Sequence, residues 1–521
     1  MIARGTVAVW GLFGAIATGS ALLVMRRPPE QRLSDLHIYY GAARTVADGQ
    51  PLYGYVAENG GPFTYPPFAV LPLRLLAAVP EGALQVLWMV LTCAAVAAIA
   101  VTVGATVTGG VADRRRPLVV AAVACAVLLS APAQSNLRFG QVSVFIVLLA
   151  LLDGVGVTPA RWRGVLVGVA AAVKLTPLLF VVYFVVAGRW RDAARAVAAF
   201  VACAAVGALV LPADSWQYWS GTMLRTSRIG DLASLGNQSV HGALMRIGVP
   251  PGALPVLWAV LVAAICAAAL LRARRLDRDG ERTRAAVLVG CATVAASPVS
   301  WTHHQVWTVL AAMLLIATSG AARRVAGALL LVAMTVSLGV VFGDVSTYPG
   351  VQFLLENARM FGAVAVCVAG CGGVAAAAVV AHRRGPAALR TATVAGAVLA
   401  CFALLPLPAG ADPTFKAYTH ADAGNPRYFY FSPGAALTAG APVRFGVLRE
   451  KTKVRVNGVV SSAVARLEYR SAPGGAPRDV PLLALVPGPR EFSFRSANLA
   501  AGRLVAYDAT GRVLATYTNL S

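Results

Sequence analysis

Apolar stretches of about twenty residues recur from Thr6 to about Pro408, and the short loops between them gather arginine. Each stretch is long enough to cross the roughly 30 Å hydrocarbon core of a bilayer as one helix. Lipid offers the backbone no partner but itself, so such segments fold as helices. Composition agrees, with 58% hydrophobic and 13% charged residues over 521 positions and a mean hydropathy of +0.69. A soluble domain carries about a quarter charged residues. The first stretch, Thr6–Val24, has the look of a signal peptide. The chain stays hydrophobic after it, so it reads as the first membrane helix.

The net charge of +23 raises the question of nucleic acid, and its distribution answers it. Arginines sit in short inter-helix loops: Arg114–Arg116, Arg161 and Arg163, Arg189, Arg191 and Arg195, Arg272–Arg284, Arg323 and Arg324, and Arg383, Arg384 and Arg390. That is the positive-inside pattern of a multi-pass protein of the cytoplasmic membrane, with a secondary attraction to anionic lipid heads. No nucleic-acid partner is expected. The eight cysteines all lie in apolar segments without metal spacing. Cys367 and Cys371 share a helix face and read as packing.

With the N-terminus inside, the arginine loops fix the rest. Residues 26–82 form a long outer loop. Ala83–Val107 returns, Leu118–Leu129 goes out and Val142–Val157 comes back. Gly164–Ala187 starts and ends beside arginine clusters, so it is expected to be a hairpin of two short helices turning at Lys174–Pro177. Pro177 lacks a donor and disfavours helix at Thr176. The alternative is one straight helix with Lys174 inside it. Ala194–Leu211 leads to a second outer loop, 213–250. Val256–Leu271, Ala285–Ala296, Val306–Ile316, Val325–Val341, Gly362–Val380 and Thr391–Leu405 complete about eleven to thirteen spans. After Pro408 the composition changes: alternating strand-like runs (Val443–Leu448, Val454–Val460, Ala463–Tyr469, Phe492–Phe494, Leu504–Tyr507) are separated by Gly/Pro turns. Short, regularly spaced strands suggest a small β-sandwich, which the topology puts outside the membrane. The expected division is a membrane core, 1–408, and a β-rich domain, 409–521.

The polar side chains fit for chemistry collect at the outer ends of the helices. Asp35 and Tyr39 share a face of a helix over Asp35–Asp48 that Ser34 is placed to cap, and His37 and Tyr40 lie beside them. Asp35 reads as a general base between aromatic walls for a sugar, or as a dipole-favoured acid in a first turn. Phe63–Phe68, with Tyr65, is a rigid aromatic turn. Gln134–Ser143 gathers Gln134, Asn136, Arg138 and Gln141, groups that recognise phosphate or hydroxyls; Arg138 also fits a snorkelling residue. Trp216, Tyr218 and Trp219 read as an interfacial aromatic belt. Gly236–Ser239, with Asn237, Gln238 and nearby His241, reads as a polar binding turn. Lys174 is the one lysine before Lys416, and ionisable groups at membrane depth are functional by default. His303 and His304 lie at a helix mouth between Trp301 and Trp307. No third ligand stands at zinc spacing, and no metal is expected.

The ordered set D-L-x-x-Y-x-x-A, G-x-x-L-Y, F-T-Y-P-P-F, N-x-R-x-G-Q, K-L-T-P, G-N-Q-S and S-x-x-S-W-T-H-H resembles the actinobacterial polyprenyl-phosphate-sugar glycosyltransferases of family 87. The resemblance covers roughly residues 30–320, and the β-rich C-terminal region departs from it. It implies an all-α polytopic membrane fold of the GT-C type, with the β-sandwich-like domain added outside. It implies an inverting glycosyltransferase that moves a mannosyl residue from polyprenyl-phosphate-mannose to a lipid-linked or cell-wall glycan acceptor on the outer side of the membrane, with no cofactor. Asp35 matches the family's first-loop aspartate and would be the base. Lys174, His303, His304 and Arg138 would hold the departing phosphate. His37, Tyr39, Tyr65, Asn136, Gln141, Asn237 and Gln238 would meet sugar or acceptor. The alternatives are an arabinofuranosyltransferase using decaprenyl-phosphoryl arabinose and a non-enzymatic lipid-linked sugar transporter. A transporter would spread charge through the spans, whereas here it gathers at one edge.

Overall fold

The computed structural model describes residues 2–371, apart from 58–60, 110, 225–228, 230–231, 251 and 339–348. It also describes 442–518, apart from 450–453, 462, 473–474, 483–489 and 497–501. The expected last span, Thr391–Leu405, and the expected boundary at 408 lie outside the described residues. Two compact units form, Met1–Leu232 with Asn237–Leu405, and Ala233–Gly236 with Pro406–Ser521.

The first unit is helical. In chain order its helices are α1 (Ile2–Met25), α2 (Ser34–Ala47), α3 (Val70–Leu76), α4 (Glu81–Val107), α5 (Arg116–Leu129), α6 (Ala131–Phe139), α7 (Ser143–Val155), α8 (Val165–Val173) and α9 (Leu178–Val186). They continue as α10 (Trp190–Val210), α11 (Pro212–Ser220), α12 (Val240–Arg246), α13 (Leu254–Arg278), α14 (Arg282–Ala296), α15 (Val306–Ile316), α16 (Ala321–Thr335), α17 (Pro349–Glu356) and α18 (Ala358–Ala369). Among the described residues, 4 helices are long and apolar enough to cross a membrane, or up to 6 if each bent pair counts as one span. The protein is a multi-pass membrane protein. Several stretches among the eleven to thirteen expected spans fold as shorter apolar helices, and others lie partly or wholly outside the described residues. α14 is buried along almost its whole length and packs on α7, α13, α15 and α18. A helix that is apolar all round is a core helix as readily as a lipid-facing one.

The segment 164–187 is two nine-residue helices, α8 and α9. Both outer ends come to one place. Val167 N donates to Asp153 Oδ2 at 3.0 Å, and Arg189, just past α9, donates to the carbonyls of Asp153 and Gly154 at 2.8 Å each. The two helices are therefore limbs of one hairpin with Lys174 at its tip. Each limb is about 13 Å long at 1.5 Å per residue, less than half the hydrocarbon thickness. Such a break is tolerated where it is buried in protein or lines a cavity. Gly164 (φ +102) and Gly168 let α8 press against the start of α10, where a β-carbon would meet the Asp192 and Ala196 carbonyls.

This packing gives the bundle two ends. α7, α8, α10 and α14 each run between them. One end holds a buried ionic cluster. Arg189 Nε pairs with Asp192 at 2.9 Å, and its Nη1 lies 3.8 Å from Asp277, which also takes Arg282 at 3.0 Å. Tyr183 donates to Asp277 at 3.0 Å, and Arg189 lies 4.4 Å over the Phe184 ring. Three of the arginine loops of the sequence meet here. The opposite end carries Asp35, Lys174 and the paired histidines.

Three local expectations are corrected. Ser34 does not cap α2: it is the first helical residue, and Leu33, at φ 41, takes the N-cap position. The stretch 134–143 is not an open turn, because α6 occupies most of it, bent by 61° from α5. Tyr218 is no belt residue: it is buried and stacked on Tyr53 with ring centroids 5.6 Å apart, while its neighbour Trp216 is 78% exposed.

In the second unit β1 (Val443–Arg449), β2 (Val454–Val460) and β5 (Arg490–Ser496) form one antiparallel sheet in the order β1-β2-β5. The strands β3 (Arg466–Arg470), β4 (Arg478–Val480), β6 (Arg503–Tyr507) and β7 (Val513–Thr518) form another in the order β4-β3-β6-β7. Val456, Val460 and Phe492 of the first share a buried cluster with Leu467, Tyr469 and Leu504 of the second. Tyr469 Oη reaches Ser496 Oγ at 2.8 Å. β4 and β7 are strands the alternation did not single out.

Candidate active site

Asp35 is set in place by backbone docking. Leu33 N donates to Arg138 O at 3.0 Å. Gly140, left-handed at φ +67, ends α6 under Leu33 and Leu36 with no room for a side chain. That lays the first turn of α2 on the α6–α7 junction, so Gln141 Nε2 donates to Asp35 Oδ2. The Ser34 hydroxyl bonds the same carboxylate. α2 is not a spanning segment, and its acid is half-buried. Loss of hydration pushes the Asp35 carboxyl from 3.8 up to about 6, against the lowering pull of Gln141, Lys174, Ser34 and Arg138. Loss of hydration penalises the charged form, and nearby cations and donors recover part of it.

Tyr39, one turn along α2, and Tyr65, from the Phe63–Phe68 turn, complete a chain of hydroxyls. Tyr39 Oη lies 3.0 Å from Tyr65 Oη, and Tyr65 Oη donates to Gln141 Oε1 at 3.0 Å. Both phenols are buried. The Tyr65 ring also faces the hairpin tip, with Lys174 Nζ 5.3 Å from its centroid. Lys174 Nζ donates to Ser143 Oγ at 3.3 Å and lies 2.7 Å from His304 Nε2. Tyr65 thus faces Lys174 with its ring and is tied to Asp35 through Gln141. A small cavity of about 30 Å³ lies beside Lys174, lined also by Ser143, Thr176, Ser297, Ser300, His304 and Trp307.

The histidine turn 302–304 is held from behind. Trp301 N donates to His304 Nδ1 at 3.2 Å, which turns Nε2 toward Lys174. Asn136 Nδ2 donates to His303 O at 2.8 Å. His303 Nδ1 lies 3.5 Å from Ser135 Oγ, and its ring is edge-on to His304 with centroids 4.5 Å apart. Arg359 Nη1 donates to Thr302 Oγ1 at 3.1 Å.

Of the residues singled out in the sequence, Asp35, Tyr39, Tyr65, Gln141, Lys174, His303 and His304 come together. Arg138 flanks them, its guanidinium 4.8 Å over the Phe139 ring and its charge felt at Asp35. Asn136 supports the turn through backbone. Asn237 and Gln238 stand one layer back: Asn237 bonds the Leu232 and Pro298 carbonyls and Ser300 N, and Gln238 bonds Glu356 O and Met360 N. His37 faces away, paired with Glu81 at 2.7 Å, both about a third exposed. Sequence reasoning passed over Ser143, Ser135 and Arg359. A small hydroxyl at the start of an apolar helix carries no signal of its own, and Arg359 falls in the connection between the expected spans Val325–Val341 and Gly362–Val380. Among the described residues no group of three or more His, Cys, Asp or Glu is placed to hold a metal ion.

A half-buried carboxylate near a lysine that meets an imidazole suits transfer of a group away from an anionic leaving group. The pattern that defines glycosyltransferase family 87 matches residues 63–300. The chain is 36% identical over 313 residues to a polyprenol-phosphate-mannose-dependent alpha-(1-2)-phosphatidylinositol mannoside mannosyltransferase of Mycobacterium tuberculosis, which covers 56% of this chain and 71% of that protein. A pentamannoside mannosyltransferase of the same species, also polyprenol-phosphate-mannose-dependent, is 36% identical over 304 residues, 57% of this chain and 69% of its own. A Mycolicibacterium smegmatis relative named like the first is 35% identical over 295 residues, 52% and 67%. A multi-pass helical chain with these relatives is a membrane glycosyltransferase. The chain belongs to glycosyltransferase family 87. No solved structure matches it.

Proposed function

We propose that this enzyme moves a mannosyl residue from polyprenyl-phosphate-mannose to a phosphatidylinositol-mannoside-like lipid or a cell-wall glycan. The names of its relatives support donor and acceptor class. Asp35 is the general base that takes the proton of the acceptor hydroxyl. Lys174 and His304 meet the departing phosphate, with His303 and Arg138 behind them. Attack from the face opposite the phosphate inverts a β-linked donor to an α product. A polyprenyl phosphate leaves readily once its charge is met by Lys174 and Arg138 with the imidazoles as hydrogen-bonding groups, so the reaction is read as needing no resident metal. The site faces the outer side of the cytoplasmic membrane, since the arginine loops gather at the other end of the bundle. The two sheets of the C-terminal unit are read as a sandwich on that outer side.

The observation that carries the reading is the Tyr65 phenol, with Lys174 over its ring and its hydroxyl tied through Gln141 to Asp35. It ties the base and the phosphate-binding cation to one aromatic side chain. The test is a membrane assay with radiolabelled polyprenyl-phosphate-mannose and decaprenyl-phosphoryl arabinose in parallel, with wild-type and Asp35→Asn protein. Mannose transfer that the variant loses by about 10²–10⁴ is expected. Transfer of arabinose alone would replace the donor, and transfer of neither would replace the enzyme with a carrier.

A further inference from the structure

The hydrogen bonds around Asp35 have a direction. Gln141 meets the carboxylate through its amide nitrogen, because an ionised carboxylate only accepts. Its oxygen is then turned to Tyr65, whose hydroxyl must donate to it. With its proton spent there, Tyr65 Oη accepts from Tyr39 Oη. Every donor from Tyr39 to Gln141 therefore points toward Asp35, and bonds aligned in this way polarise one another in a low-dielectric interior. Gln141 is 6% exposed, and Tyr39 and Tyr65 are buried.

We infer that Gln141, backed by Tyr65 and Tyr39, is a positioning residue that keeps Asp35 ionised. This rests on Asp35 being the base. Gln141 holds Oδ2, and the Ser34 hydroxyl bonds the same carboxylate. The charged groups facing Asp35 are Lys174 at the hairpin tip and Arg138 on α6; the titratable phenols are Tyr39 on its own helix and Tyr65 from the aromatic turn. Lys174 and Arg138 also favour the ionised form. His37, two residues along, is turned to Glu81.

The experiment measures kcat and KM against pH, with purified full-length protein and polyprenyl-phosphate-mannose, for wild type, Gln141→Leu, Tyr65→Phe and Asp35→Asn. Losing a donor to the charged form raises the acid's pKa. In Gln141→Leu the acid limb of kcat is expected to move up by about one pH unit, with KM for both substrates within about twofold. Tyr65→Phe keeps the ring and removes only the relay, so its limb is expected to move the same way by less. Limbs unmoved in both variants, with KM raised, would overturn the inference and make Gln141 a sugar contact. Asp35→Asn separates the two readings. If it is inactive at every pH while the Gln141 and Tyr65 limbs stay at the wild-type position, only the positioning role falls. If it keeps a wild-type acid limb, the base is another group and both fall.

Discussion

The two ends of the helical bundle handle buried charge in opposite ways. At the arginine-rich end Arg189, Asp192, Asp277 and Arg282 meet opposite charges at 2.9 to 3.8 Å. Backbone carbonyls take the remaining donors of Arg189. At the other end Asp35 is held by an amide and a hydroxyl, and Lys174 by a hydroxyl and an imidazole. Matched charges lock helices α9, α10 and α13 together. Charges held by neutral partners keep their attraction for a substrate that brings charge of its own. Scarce ionic residues in an apolar chain thus serve stability at one end and chemistry at the other.

The comparison breaks most visibly at Arg189. Removing Arg189 leaves Asp192 to Arg195 and Asp277 to Arg282, both partly exposed arginines, and breaking a buried pair costs up to about 3–5 kcal/mol. Arg189→Met is therefore expected to lower the melting temperature and the yield of folded protein, while the fraction that folds retains near-normal kcat. Arg189→Met combined with Asp192→Leu should recover part of the loss, since both charges go together. Thermal unfolding in detergent and turnover per folded molecule measure the two. Full stability with lost turnover would erase the distinction between the ends.

Lys174 tests the opposite end. Lys174→Ala and His304→Ala each remove a contact to phosphate worth roughly 1.5–3 kcal/mol, so affinity for a polyprenyl-phosphate analogue should fall about tenfold or more. Stability should change little, because the attraction of Lys174 to Asp35 is offset by the cost of burying its charge. Titration of the analogue alongside a melting curve checks both at once. Unchanged affinity in both variants would remove the phosphate from this end.

Much of this division was legible in the sequence. Asp35, Lys174 and the histidine pair stood out because apolar surroundings make an ionisable side chain expensive. The hairpin followed from arginines at both its ends and Pro177 near its middle. What stayed hidden is pairing at long range. Asp192 and Asp277 lay inside loops read for their arginines, so the cluster looked like net charge rather than matched charge. Gln141 and Gln238 are the same side chain in similar polar turns. The first meets Asp35 from 106 positions away, and the second spends its amide on backbone at Glu356 and Met360. Only the docking of α2 on α6 tells them apart.

The smallest effect is expected at His37, which tests how far the reactive end extends along α2. His37 is two residues from Asp35, and its resemblance to the family's aromatic wall made it a sugar contact. Its imidazole is instead paired with Glu81 at the start of α4, and both are about a third exposed. Pairs that open to solvent contribute about 0–1 kcal/mol. His37→Ala should therefore shift the melting temperature slightly and leave KM for donor and acceptor within about twofold, with the loss vanishing at high salt as exposed charges are screened. Glu81→Gln should give the same small shift, since it removes the other half of the same pair. A KM rise near tenfold in His37→Ala that Glu81→Gln does not reproduce would show the imidazole leaving Glu81 to meet sugar. The reactive end would then reach across both faces of α2 rather than the single face that carries Asp35 and Tyr39.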